Sequence, residues 1–171
     1  MNYLKRKSLR NLLQGPGFSL VAKKLEDNLT ERLLTIQVDN EWTRCDSFME
    51  IFETQVSSAM IDSVCGPALL GRNPEFPKDL WALDHDVMKL ICRMPRFLLS
   101  KTWASQQRGL AAIKSGYIWA QENFDPESVG PDGYDPYWGS RYFRDLLGMF
   151  AAVDGFDVNA IASEVFAFLW A

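Results

Sequence analysis

Residues 157–171 read DVNAIASEVFAFLWA, and this stretch decides the fold. Apolar residues fall at Val158, Ile161, Ala162, Val165, Phe166, Leu169 and Trp170. That is the i, i+3, i+4, i+7, i+8 recurrence of an amphipathic helix, with Asp157 placed to cap its start. The sequence stops at Ala171 on a strong helix former, with no Gly, Asn or basic closing turn after it. The expectation is a helix whose apolar stripe is left uncovered. Each large side chain left in water forfeits about 1.5–3 kcal/mol, against about 5–15 kcal/mol for a whole domain. A poorly soluble or partly ordered chain follows from that expectation.

The same helical period runs back through the chain. Phe18, Val21, Ala22, Leu25, Leu29, Leu33 and Ile36 mark a helix that follows Gly15-Pro16-Gly17 and reaches about residue 37. Ser47-Phe-Met-Glu50 reads as a capping box opening a helix through Phe48, Ile51, Phe52, Val56, Ala59, Met60 and Val64, which Gly66-Pro67 stops. Residues 70–77 read as a loop. A helix then begins near Pro77 and runs through Leu80, Leu83, Val87, Leu90 and Ile91 to Met94-Pro95. A long helix is predicted from about Ser100 to Asn123, and DPESVGPDGYDPYWG, residues 125–139, reads as a surface loop. A helix from about Ser140 carries Phe143, Leu146, Leu147 and Phe150 on one face and ends by Gly155. No alternating strand is found, so the reading is an all-α chain, residues 1–171, forming one domain.

Composition sets limits on function. The chain is 47% hydrophobic with 22 aromatic residues among 171, enough apolar area to offset chain entropy, so disorder is not expected. A net charge of −4 argues against nucleic acid as a partner, because phosphate binding needs a cationic face. The basic cluster Lys5, Arg6, Lys7 and Arg10 reads as a solvated helix face. Cys45, Cys65 and Cys92 are an odd number at wide spacing, which indicates neither a disulfide framework nor a zinc site and fits an intracellular setting. No signal peptide and no run long enough to span a bilayer is present in these residues.

Chemistry-bearing residues do not assemble into a site. His85 is the only histidine, flanked by Asp84 and Asp86. A pH-sensitive or metal-binding role is imaginable, but helix neighbours point about a hundred degrees apart, so a solvated helix is the plainer reading. Cys92 beside Arg93 and Cys45 after Arg44 lack a base, and each reads as a small core residue or an exposed thiol. Ser57 and Ser58 lie mid-helix, where hydroxyls bond back to carbonyls. Gly15-Pro16-Gly17 is too short for a phosphate loop. No catalytic, cofactor-binding or metal-binding residue is assigned.

The pattern as a whole resembles a family. Cys65-Gly-Pro-Ala-Leu-Leu, Asn73-Pro-Glu-Phe76, Leu80-Trp-Ala-Leu-Asp84, Met94-Pro-Arg-Phe-Leu98, Leu110-Ala-Ala-Ile-Lys114, Gly130-Pro-Asp-Gly133, Tyr137-Trp-Gly-Ser-Arg-Tyr-Phe143 and residues 153–164 together are similar to the middle of a fungal cytochrome P-450. The likeness is closest to the branch that also resembles sterol 7-alpha-hydroxylase and prostacyclin synthase-like enzymes, and it runs from about Gly15 to Ala171. It implies a partial cytochrome P-450 fold, with the middle helices up to the start of the central helix. The helices either side of Met94-Pro95 would be the lid pair over a substrate channel.

By the same resemblance, full-length relatives carry heme, a lipophilic substrate, a reductase partner and a membrane anchor at the endoplasmic reticulum. This sequence departs from them. The heme ligand lies in a Phe-x-x-Gly-x-x-x-Cys-x-Gly loop, whereas Cys65 has Ile61 in place of the Gly and Ser58 in place of the Phe. The Glu-x-x-Arg brace and the acid–alcohol pair are missing too. Without a thiolate there is no axial ligand to favour O–O cleavage. The expectation is therefore a truncated, inactive relative with no cofactor of its own, and its standing as an enzyme is left open. One alternative is a portion of an active monooxygenase oxidising a sterol or secondary metabolite. Another is a non-enzymatic helical interaction protein that self-associates through the last helix.

Overall fold

The structure, a computed structural model, describes residues 16–36, 47–92 and 94–170. The basic cluster at residues 5–10, Arg44, Cys45 and Arg93 lie outside the described residues. The described residues are helical and contain no β-strand, only an isolated bridge between Asp135 and Gly139.

Helix α1 spans Pro16–Leu34, with Pro at the first position, where its missing N–H is harmless. A short α2, Phe48–Ile51, runs through a π-helical turn, Phe52–Val56, into α3, Ser57–Cys65. Two expectations are corrected here. Ser47 is extended and precedes the helix, but its side chain makes no capping hydrogen bond. Phe48 and Met49 are exposed, so this first turn is open to solvent, and the Glu50 N–H donates to the Ser47 carbonyl at 3.3 Å. The π turn inserts one extra residue: the Ser57 hydroxyl donates to the Phe52 carbonyl, five residues back, at 3.0 Å. It also accepts from Trp81 Nε1 at 2.7 Å, which ties the turn to the next layer.

Gly66, at φ +80°, ends α3 as expected. Residues 70–77 are not all loop, however. Pro67–Arg72 forms α4 and buries Leu69 and Leu70. The helix predicted from Pro77 to Met94 is α5, Phe76–His85, followed by α6, Val87–Ile91. Asp86 breaks it, because its carboxylate accepts from both Thr102 and Lys89 and its backbone leaves the helical region. Helix α7 spans Ser100–Asn123, matching its predicted ends.

Residues 125–139 are only partly a surface loop. Asp135 is 1% exposed; it accepts from the backbone N–H of Tyr137 at 2.9 Å and of Trp138 at 2.7 Å, and from Arg144. A carboxylate that organises its own turn in this way folds the loop inward. The turn then meets α3. A Cβ on Gly139, φ +73°, would lie 2.1 Å from the Gly66 nitrogen, so two glycine backbones touch where no side chain fits. Helix α8 spans Arg141–Ala151; Ser140 caps it by accepting from the Phe143 N–H and donates its hydroxyl to Val64 O at 2.9 Å.

Helix α9, Val158–Trp170, begins as expected, with Asp157 accepting from the Ala160 N–H at 2.8 Å. Its stripe is not uncovered. Ile161, Ala162, Val165, Phe166 and Leu169 are all buried, and Trp170 alone among its large apolar residues stays exposed, at 37%. α7 covers it, and Gly109, a small buried residue of α7, lets the two helices approach closely. At Gly109 an added Cβ would stand 2.5 Å from the Phe166 ring. Phe166 in turn packs edge-on against Phe76 of α5, ring centroids 6.3 Å apart. One hydrophobic cluster joins α3, α4, α5, α7, α8 and α9.

Candidate functional site

A buried group of reactive side chains surrounds Cys65, the last residue of α3. Its sulfur faces a cavity of about 30 Å3 bounded by Leu69, Ile113, Gly116, Tyr117, Trp138 and Val165, among others. Tyr117 and Trp138 pack edge-to-face at 5.5 Å and close one wall. Gln121 Nε2 donates to the Tyr117 hydroxyl at 2.9 Å, and desolvation raises the Tyr117 pKa. Burial pushes the Cys65 thiol well above its ordinary range, and the nearby charge of Asp62 adds to the shift. The phenol of Tyr134, raised first by burial and then by Asp62, stays protonated and donates to the Asp62 carbonyl at 2.7 Å.

These groups form an apolar cell that keeps its acids protonated. The cavity is far smaller than a porphyrin, and among the described residues its lining includes no cationic side chain. A heme ligand requires the opposite, a thiolate stabilised beside a porphyrin-sized space. Cys65 and its surroundings do not fit heme. Cys92 is an exposed thiol, and Cys45 lies outside the described residues. Among the described residues there is no cluster of His, Cys, Asp and Glu able to hold a metal ion.

Several other charged side chains form paired struts. His85 is exposed at the end of α5, and its Nε2 lies 3.5 Å from Glu53 on the π turn, while Asp86 serves Thr102 and Lys89 and feels His85 only as a minor charge. The structure does not gather His85, Asp84 and Asp86 into a group able to hold a metal ion. Arg108 of α7 straddles Asp79 of α5, at 2.5 Å from Nη2, and also reaches the Ser105 hydroxyl. Arg32 of α1 meets Asp62 of α3 at 2.5 Å. Arg144 holds Asp135 in the inward loop. Sequence reading passed over these pairs, because partners 9 to 30 residues apart leave no periodic mark. The turn residues around Asp135 were the one available signal. Among the described residues, no helix is long and apolar enough to cross a membrane.

No family model matches the chain, and no solved structure matches it. Curated relatives do. The cytochrome P-450 monooxygenase fsoE of Humicola fuscoatra is 24% identical over 168 residues, 96% of this chain and 29% of that protein. The cytochrome P-450 monooxygenase efuG of Hormonema carpetanum is 21% identical over 167 residues, 96% of this chain and 30% of that protein. The cytochrome P-450 monooxygenase calL of Penicillium decumbens is 26% identical over 148 residues, 85% of this chain and 26% of that protein. The chain spans less than a third of the length of these relatives, and over that span it is an all-helical chain distantly similar to part of a fungal cytochrome P-450 monooxygenase.

Proposed function

We propose that these 171 residues are the helical, substrate-side portion of a cytochrome P-450-type monooxygenase and do not activate dioxygen by themselves. The observation that carries the reading is the similarity of 96% of the chain to under a third of the relatives' length. The setting of the cysteines supports the second half. Cys65 lacks the heme-loop context, and its sulfur is buried against apolar walls that keep it a thiol. Heme, bound in a complete enzyme of this type, would supply the oxygen chemistry. The residues here would supply scaffold and lid, with a lipophilic substrate and a reductase as partners of the complete protein.

The test is spectroscopic. The purified chain, mixed with one equivalent of hemin, reduced and exposed to carbon monoxide, is expected to show no heme–thiolate Soret band. A stoichiometric thiolate-type band would overturn the proposal. Reading the nucleotide sequence beyond codon 171 separates a stand-alone inactive relative from the substrate-side part of an active enzyme, since the latter requires a downstream heme-cysteine loop in frame.

A further inference from the structure

The strongest observation not absorbed by that reading concerns how α1 is attached. Lys24, Asn28 and Arg32 recur every four residues and so share one face of the helix. The structure gives each of them a partner on the core. Arg32 Nη2 lies 2.5 Å from Asp62 Oδ2, and Asn28 Nδ2 donates to Ser63 Oγ at 3.0 Å. The Lys24 ammonium sits 5.0 Å from the centre of the Tyr134 ring, whose hydroxyl is bound to the Asp62 carbonyl. Apolar burial on this helix is incomplete. No residue from Gly17 to Leu34 is fully buried, and Val21, Ala22, Leu25 and Leu29 are mostly covered but keep an edge in water. On the facing helix α3, by contrast, Ala59, Ile61, Ser63 and Cys65 are buried.

We infer that α1 is a separately opening unit, clamped to α3 and to Tyr134 of the neighbouring loop by the polar row Lys24–Asn28–Arg32 and released by salt while the core remains folded. The attachment carries its own counterweight. Asp62 Oδ1 is buried with no hydrogen-bond partner among the described residues, so docking strands one oxygen of the carboxylate that Arg32 holds by the other. Desolvation raises the Asp62 pKa despite the adjacent guanidinium, in keeping with a pair that docking only half satisfies. Undocking returns that oxygen to water and offsets part of the lost ion pair. Incomplete apolar burial and a solvent-reachable charged seam are what give a segment a local opening free energy below the global one.

Hydrogen–deuterium exchange of the full chain, read by peptide mass, tests the inference. Raising KCl from about 10 mM to about 1 M shortens the screening length from about 30 Å to about 3 Å. Peptides within residues 17–34 are expected to exchange about threefold faster at the higher salt, while peptides of α7 and α9 do not change. Arg32→Ala at low salt is expected to accelerate the same peptides about tenfold, and Arg32→Lys, which keeps the charge, to fall between. Exchange of α1 that ignores both salt and Arg32→Ala would overturn the inference. So would exchange in which α1, α7 and α9 accelerate together, because α1 would then open only with the whole fold. The salt series uses the unmodified chain, so a variant that fails to fold does not leave the question open.

Discussion

Burial can make a residue chemically silent, and Cys65 is the case here. A thiol reacts as its thiolate, and the apolar surroundings of Cys65 hold the proton on. Cys92, on an exposed turn, has no such shelter. Iodoacetamide at neutral pH is therefore expected to modify Cys92 in the native chain and to leave Cys65 intact until denaturant is added, as peptide mapping will show. Native-state alkylation of Cys65 at the rate of Cys92 would contradict the buried setting. Gly139 makes the second residue-level point. Its positive φ and the 2.1 Å approach to Gly66 exclude any side chain. Gly139→Ala is expected to lower stability by at least about 2 kcal/mol, seen as a fall in the urea midpoint with little change in slope. A midpoint within error of the parent would show that the contact yields without cost. Neither feature could be read from local sequence, since Cys65 and Gly66 meet Gly139 across more than seventy residues.

At the scale of elements, starts were more legible than interruptions. The Asp157 cap, the Ser100–Asn123 helix and the Ser140 start were all read from local chemistry, because capping and periodicity act within one or two turns. The π turn at Phe52–Val56 and the break at Asp86 were missed, and both depend on distant partners, Trp81 for the first and Thr102 for the second. Ser140 joins the two kinds of information. Its hydroxyl accepts from its own helix and donates to α3, so it caps α8 and anchors the loop that precedes it. Ser140→Ala is expected to cost about 1–2 kcal/mol; Ser140→Thr keeps the hydroxyl and is expected to recover part of it. Equal stability of the alanine and threonine variants in urea would show that the hydroxyl bonds contribute nothing.

At the scale of the molecule, the last helix acts as a wall of the core. The stripe that in isolation promised exposed Phe166 and Leu169 lies against α7 and meets Phe76 of α5. Burying it removes the reason to expect a partly ordered chain. The core helices α3 to α9 of the 171-residue chain are expected to unfold in one cooperative thermal transition. A version ending at Phe156, which bares the Gly109 face of α7, is expected to lose that transition and bind a hydrophobic dye. A broad, non-cooperative melt of the longer chain, or a sharp one of the shorter, would show that α9 is not integral to the core.

Some properties were settled by the sequence alone. The 3.6-residue recurrence is set by helix geometry and needs no partner, so the all-α class and the apolar face of each long helix were readable directly. The absence of a heme-cysteine context around Cys45, Cys65 and Cys92 is likewise a fact of residue order. What only the tertiary structure decided is which faces meet. Periodicity states that a helix has an apolar side but not what covers it. Whether DVNAIASEVFAFLWA was a bare stripe or a core wall depended on the small residues of α7, fifty positions upstream, and on whether packing brought them within contact distance.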